Sequence, residues 1–207
     1  MSLDEGYIKY SLDWTPAPPP APAVARELEY WRQPLYAAGL IGQYADLGIG
    51  YGNISRRCGE HGQFLISGTQ TGNVARTSAQ HYALVTRADI DANAVACAGP
   101  VKASSEAMTH AAIYALDDRI VAVVHVHSKP LWERYLDVLP TTGAAIAYGT
   151  PAMAREFARL FAGADFDRPC IAVMAGHEEG LVSFGPSLES AARRMLSLAR
   201  PAESAPA

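Results

Sequence analysis

The segment Val123-Val124-His125-Val126-His127-Ser128 sets two imidazoles two residues apart at the end of an apolar, β-branched run. In a strand, alternate side chains share a face, so His125 and His127 project together while Val126 points back. Two neutral imidazoles converging from a buried strand suit a divalent cation. The competing reading has one histidine ending the strand and the other simply exposed. His177 lies in the turn Gly176-His177-Glu178-Glu179-Gly180, just after the apolar residues 170–174, and is the candidate third nitrogen. Its plainer reading is a turn histidine in a polar loop. Imidazole ligands suit zinc and also accommodate Fe2+, Mn2+ or Co2+.

A second cluster is Ser104-Ser105-Glu106, which opens a helical pattern carrying His110 one turn later. Hydroxyl and backbone donors at a helix start face any anion placed there, and the helix dipole favours negative charge. Glu106 is positioned either to act as a base or merely to complement the dipole, and an ordinary cap explains the same residues. His110 reads as a core or hydrogen-bonding residue rather than a ligand.

The elements that must carry these groups alternate along the chain. Residues 24, 28, 31, 35 and 38 recur at helical spacing, with Pro34 set to kink or break the helix after Gln33. Gly48-Ile49-Gly50-Tyr51-Gly52 reads as a loop. Its spacing is not G-x-G-x-x-G and the chain has no G-x-x-x-x-G-K-[ST] run, so nucleotide binding is set aside. Strands are expected around Ile54 and over 64–67, joined by the turn Gly59-Glu60-His61-Gly62, and again over 82–86 and 95–97. A helix over 104–116 ends at Asp117-Asp118, before a buried strand over 120–124. Thr150 and Pro151 start a helix over 151–161. Strands over 170–174 and 181–184 and a helix over 187–199 complete an α/β or α+β arrangement around one sheet.

Composition bounds the rest. The chain has 207 residues, 49% hydrophobic and 18% charged, which fits one packed domain and excludes disorder over most of its length. Seventeen Lys and Arg against 21 Asp and Glu give a net charge of −4, with no basic stripe for nucleic acid. Cys58, Cys97 and Cys170 are too few and too scattered for a disulfide framework or a cysteine zinc site. The polar start with Asp4 and Glu5 is unlike a signal peptide, and no apolar run is long enough to span a membrane. A cytoplasmic protein is the expectation. Residues 1–23 form an aromatic leader (Tyr7, Tyr10, Trp14) and a proline-rich strap, extended over 15–23 and lying on its own domain or on a neighbouring subunit. Residues 24–200 form the domain, and 201–207 a frayed tail.

Six motifs then occur in one order: Gly52-Asn53-Ile54-Ser55-Arg56, Ser67-Gly68-Thr69-Gln70-Thr71-Gly72, Ser104-Ser105-Glu106, His110-Ala111-Ala112-Ile113-Tyr114, Val124-His125-Val126-His127-Ser128 and Gly176-His177. Together they resemble the class II aldolase/adducin family over residues 24–198. The resemblance implies a three-layer αβα sandwich around a largely antiparallel sheet, assembled as a homotetramer with sites near subunit interfaces. By analogy with the family's fuculose-phosphate and rhamnulose-phosphate aldolases, it implies zinc on His125, His127 and His177, with Glu106 as acid/base. Asn53, Thr71, Gly72, Ser104 and Ser105 would bind the substrate phosphate. The activity implied is a metal-dependent lyase that cleaves or forms a carbon–carbon bond in a small hydroxyketone, sugar phosphates included. In it the metal stabilises an enediolate.

The same scaffold also hosts a ribulose-phosphate epimerase and a methylthioribulose-phosphate dehydratase, and the adducin head domain is a non-catalytic assembly module. These stand as alternatives. The chain departs from the aldolase pattern in three places. The stretch from His127 to Gly149-Thr150-Pro151 is short and holds no counterpart of the aldolases' tyrosine proton donor, a role not given to Tyr148. The loop over 67–72 is longer than usual. Glu178-Glu179 adds negative charge where the family more often has His-Gly. These departures leave room for a substrate without phosphate.

Overall fold

The computed structural model describes residues 6–59 and 62–200. In chain order the strands are β1 (Ser11–Pro16), β2 (Gly42–Tyr44), β3 (Ile49–Tyr51), β4 (Asn53–Arg57), β5 (Phe64–Ser67), β6 (Tyr82–Asp89), β7 (Ala94–Gly99), β8 (Ala122–His127), β9 (Cys170–Val173) and β10 (Gly180–Gly185). The helices are α1 (Pro22–Ala37), α2 (Ala107–Tyr114), α3 (Lys129–Tyr135), α4 (Pro151–Leu160) and α5 (Leu188–Ala199). Eight strands form one sheet in the order β1-β7-β6-β5-β4-β8-β10-β9, and β2-β3 form a separate hairpin. Among the strands of the described residues, only β1 runs parallel to its neighbour and the other pairs are antiparallel.

Strand alternation divides β8 between two cores. Val123 faces the cluster that holds Met108 and Ile113 of α2 and Met153 and Phe157 of α4. Val124 and Val126 face the opposite cluster, with Leu28 and Leu35 of α1, Leu131 of α3 and Met195 of α5. Helices therefore cover both faces of a largely antiparallel sheet, a three-layer αβα sandwich, and β8 is buried along its whole length. Helix α2 is buried all round and apolar but for Thr109 and His110, as befits a helix enclosed between the sheet and a neighbouring helix. Thr150 caps α4 through the Met153 amide, and Ser187 with Ser190 forms a reciprocal cap on α5.

Several local expectations change. Pro34 does not end α1. It lies in the last turn, where it removes a single hydrogen bond, and burial of Ala25, Leu28 and Leu35 holds the helix to Ala37. Within the expected glycine loop at 48–52, residues 49–51 form strand β3, paired with β2 through Gly42↔Tyr51 and Tyr44↔Ile49. The expected helix over 104–116 begins at Ala107, with Ser104 to Glu106 forming the turn before it. Helix α3, seven residues long, has no clear sequence period. Within the leader, residues 11–16 pair with β7 as the sheet's edge strand, and α1 begins inside the proline-rich stretch at Pro22. The Glu60-His61 turn and the tail over 201–207 lie outside the described residues. Among the described residues no helix is long and apolar enough to cross a membrane.

Candidate metal centre and anion pocket

Strand β8 ends at the site. His125 and His127 leave the same face of the strand, with their Nε2 atoms 3.0 Å apart. The third imidazole comes from the turn between β9 and β10. Gly180 is opposite His127 in the ladder, which brings the turn containing His177 alongside. A Cβ on Gly180 would stand 2.8 Å from the His177 carbonyl, and one on Gly176 would stand 2.2 Å from the Ile146 carbonyl, so both glycines permit close backbone approach. The three rings present nitrogens all within 4.8 Å of one another, and all three residues are buried.

Two imidazoles held by one tetrahedral zinc at about 2.0–2.1 Å stand roughly 3.3 Å apart. The His125–His127 pair is already near that spacing. His125 Nδ1 donates to the Leu181 carbonyl at 3.1 Å, so its Nε2 carries the lone pair toward the other rings. Burial, then the neighbouring histidines, push the His125 pKa well below its ordinary value, which keeps the ring in the neutral, metal-binding form. The donor set fits a divalent cation of the zinc type.

Glu106 joins this cluster to a second feature. At the N-cap of α2 and 2% exposed, it sets Oε1 3.3 Å from His177 Nδ1. It also lines a small polar pocket together with Asn53, Thr71, Gly72, Ser104 and Ser105. Asn53 opens β4 opposite His125, and its Oδ1 is buried with no hydrogen-bond partner among the described residues. Ser104 Oγ accepts from the Glu106 amide at 3.2 Å and so shapes the turn. The Thr71 hydroxyl donates to the Gly68 carbonyl at 2.8 Å, a bond that helps to close the loop. Gly72 admits no side chain, because a Cβ would lie 2.0 Å from the Gly42 carbonyl of the hairpin.

Five residues around the site were not assigned to it from sequence. Arg32 is 1% exposed and donates from one guanidinium nitrogen to the Thr71 and Gly72 carbonyls, at 3.1 and 3.2 Å, fixing the pocket loop from behind. A charged residue on the buried stripe of α1, between Leu28 and Leu35, is the signal that marks it. Tyr148 stacks on His177 with ring centroids 4.3 Å apart, while Lys9 Nζ lies 3.8 Å from the Tyr148 centroid. The leader thus braces the site, and the Tyr10 hydroxyl donates to the Ser104 carbonyl at 2.7 Å. Tyr44 of the hairpin approaches His127 Nδ1 to 3.0 Å.

His110, expected in the core, is fully buried and bonds Ser55 Oγ through Nδ1 at 2.6 Å. Burial pushes its pKa down to about 3 from an ordinary value near 6.5. Between those values the unfolded chain binds a proton that the folded chain refuses, so acidification through that window favours unfolding. The metal-free protein should lose roughly 1.4 kcal/mol of stability per pH unit below about pH 6 from this group. Urea midpoints from about pH 7 to about pH 4 test this. His110→Gln should reduce the slope, with buried His125 accounting for part of what remains, and an unchanged slope would contradict a neutral buried His110.

Comparison with known proteins agrees with this architecture. Residues 36–132 match the family model for the Class II Aldolase and Adducin N-terminal domain. That stretch, just under half of the chain, is similar to the class II aldolase/adducin family. The matched stretch contains Asn53, Thr71, Gly72, Ser104, Ser105, Glu106, His125 and His127, and His177 lies beyond it.

No curated protein matches the sequence. Among solved structures, a sugar-phosphate aldolase from Thermotoga maritima superposes with a TM-score of 0.64 at 18% identity, covering 86% of this chain and 90% of that one. YgbL from Escherichia coli, whose description leaves aldolase, epimerase and decarboxylase open, gives 0.63 at 21% identity, covering 86% and 85%. An L-fuculose 1-phosphate aldolase gives 0.61 at 19% identity, covering 87% and 85%. Likeness at these identities shows the shared fold.

Proposed function

We propose that the chain is a divalent-metal-dependent lyase of the aldolase type, with zinc as the preferred ion. It would act on a small hydroxyketone whose anionic or polar end occupies the Asn53-Thr71-Ser105 pocket. The observation that carries this reading is the position of Glu106, which lines that pocket and stands 3.3 Å from one ring of the three-histidine cluster. A substrate spanning the two places its reacting carbon beside a buried carboxylate.

His125, His127 and His177 would hold the ion, and three nitrogens leave coordination positions open for substrate oxygens. The bound ion supplies Lewis acidity toward neighbouring hydroxyl and carbonyl oxygens. Glu106 takes the proton from the carbon beside the carbonyl in the bond-forming direction and returns it after cleavage. Asn53, Ser104, Ser105 and the backbone at Thr71 and Gly72 hold the remote end of the substrate, and that binding energy orients the reacting carbon. Arg32 keeps the loop carbonyls turned inward, away from the substrate.

Product analysis of the zinc-loaded protein on matched panels of ketose phosphates and unphosphorylated hydroxyketones tests the reading. Release of an aldehyde is the expected result. A diastereomeric product or loss of water would replace it with epimerase or dehydratase chemistry on the same scaffold. Absence of both turnover and metal uptake would favour an assembly module.

A further inference from the structure

Glu179 and the hairpin β2-β3 have no part in the reading above, yet Tyr44 of the hairpin joins Glu179 to His127. Tyr44 Oη donates to Glu179 Oε2 at 2.7 Å and also lies 3.0 Å from His127 Nδ1. A phenol has one proton. With it given to the carboxylate, only the oxygen's lone pair faces the imidazole, so His127 Nδ1 must be the N–H donor. His127 Nε2 is then bare and directed at His125 Nε2, which the Leu181 carbonyl has already made bare. Two such lone pairs 3.0 Å apart repel unless a cation joins them.

The backbone adds an independent sign. Glu179 sits at φ +68°, in the left-handed region where glycine is comfortable and a glutamate is strained. Strain retained at one residue of a tight turn points to a side chain that is needed there.

From this geometry we infer that Glu179 and Tyr44 are positioning residues for the metal site: acting in series, they fix the tautomer and ring direction of His127 so that its Nε2 faces the ion. The inference rests on the three-histidine reading and adds to it the partner of one ligand. Glu178, one residue earlier, points instead toward exposed Lys129, 3.7 Å away, and serves as an internal control for charge alone.

The test is zinc affinity by chelator competition, together with urea midpoints of the metal-free proteins. Tyr44→Phe and Glu179→Gln should each weaken zinc binding about 10–100-fold. The double variant should be no weaker than the worse single variant, because the two residues act through one ring. Glu179→Gly should keep or raise the urea midpoint, since it relieves the backbone, and still weaken zinc. Glu178→Gln should leave affinity unchanged. If the wild type binds zinc and the Tyr44 and Glu179 variants bind it equally well, the positioning role is overturned and the three-histidine site survives. Equal losses in Glu178→Gln and Glu179→Gln would also overturn it, in favour of diffuse charge. A wild type that takes up no zinc removes both readings together.

Discussion

Glu106→Gln is expected to keep its metal and lose about 10²–10⁴-fold in turnover, the range over which a positioned general base acts. The substitution preserves shape and removes the group that accepts a proton. It leaves the three imidazoles untouched, and the amide can still face His177, which lies 3.3 Å from the carboxylate in the native protein. The check has two parts: zinc content by elemental analysis, and initial rates on whichever hydroxyketone the wild type converts. Unchanged turnover with full metal would remove Glu106 from the chemistry. Loss of metal along with turnover would instead make Glu106 a partner of the ion.

His127→Ala should have the other large effect. It removes one of three nitrogens, and the remaining pair, His125 and His177, offers too few ligands to hold zinc through purification. The fold should survive, since His127 lies at the end of β8 and the apolar contacts of Val123, Val124 and Val126 remain. Native-like circular dichroism and a cooperative urea transition, with an unfolding free energy lowered by about 1–3 kcal/mol, would show a folded chain. Elemental analysis should then find the site depleted of zinc. Full metal retention in a folded variant would refute the ligand assignment.

The layered architecture was legible because its strands are short apolar runs and its helices carry a stripe. Residues 123 and 124 read as buried, and they face opposite cores. The His125–His127 pair was legible for the same reason, since period-two geometry gives both rings one direction without knowledge of anything distant. The position of His177 at a strand end was legible, whereas the meeting of its turn with β8 depends on the register of β10, a pairing between residues over fifty apart.

Residues that act across the chain were hidden. Tyr44 meets His127 across 83 positions, from a hairpin whose glycines imitate a loop. The edge strand β1 was masked by the prolines that follow Trp14, although an edge position is where a strand tolerates them. Arg32 left a trace, a charge on an apolar helix face, but its partners are backbone carbonyls about forty residues away, which carry no side-chain signature. Helix α1 outran its proline because tertiary burial outweighed a local penalty confined to one turn.

The central claim is that three imidazoles share one cation. Zinc K-edge X-ray absorption on the protein reconstituted with one equivalent of zinc tests it most directly. The account predicts one tightly held ion per chain, with imidazole scattering from three rings at about 2.0–2.1 Å. A spectrum without imidazole scattering, or a chain that releases the ion to a weak chelator, would contradict it.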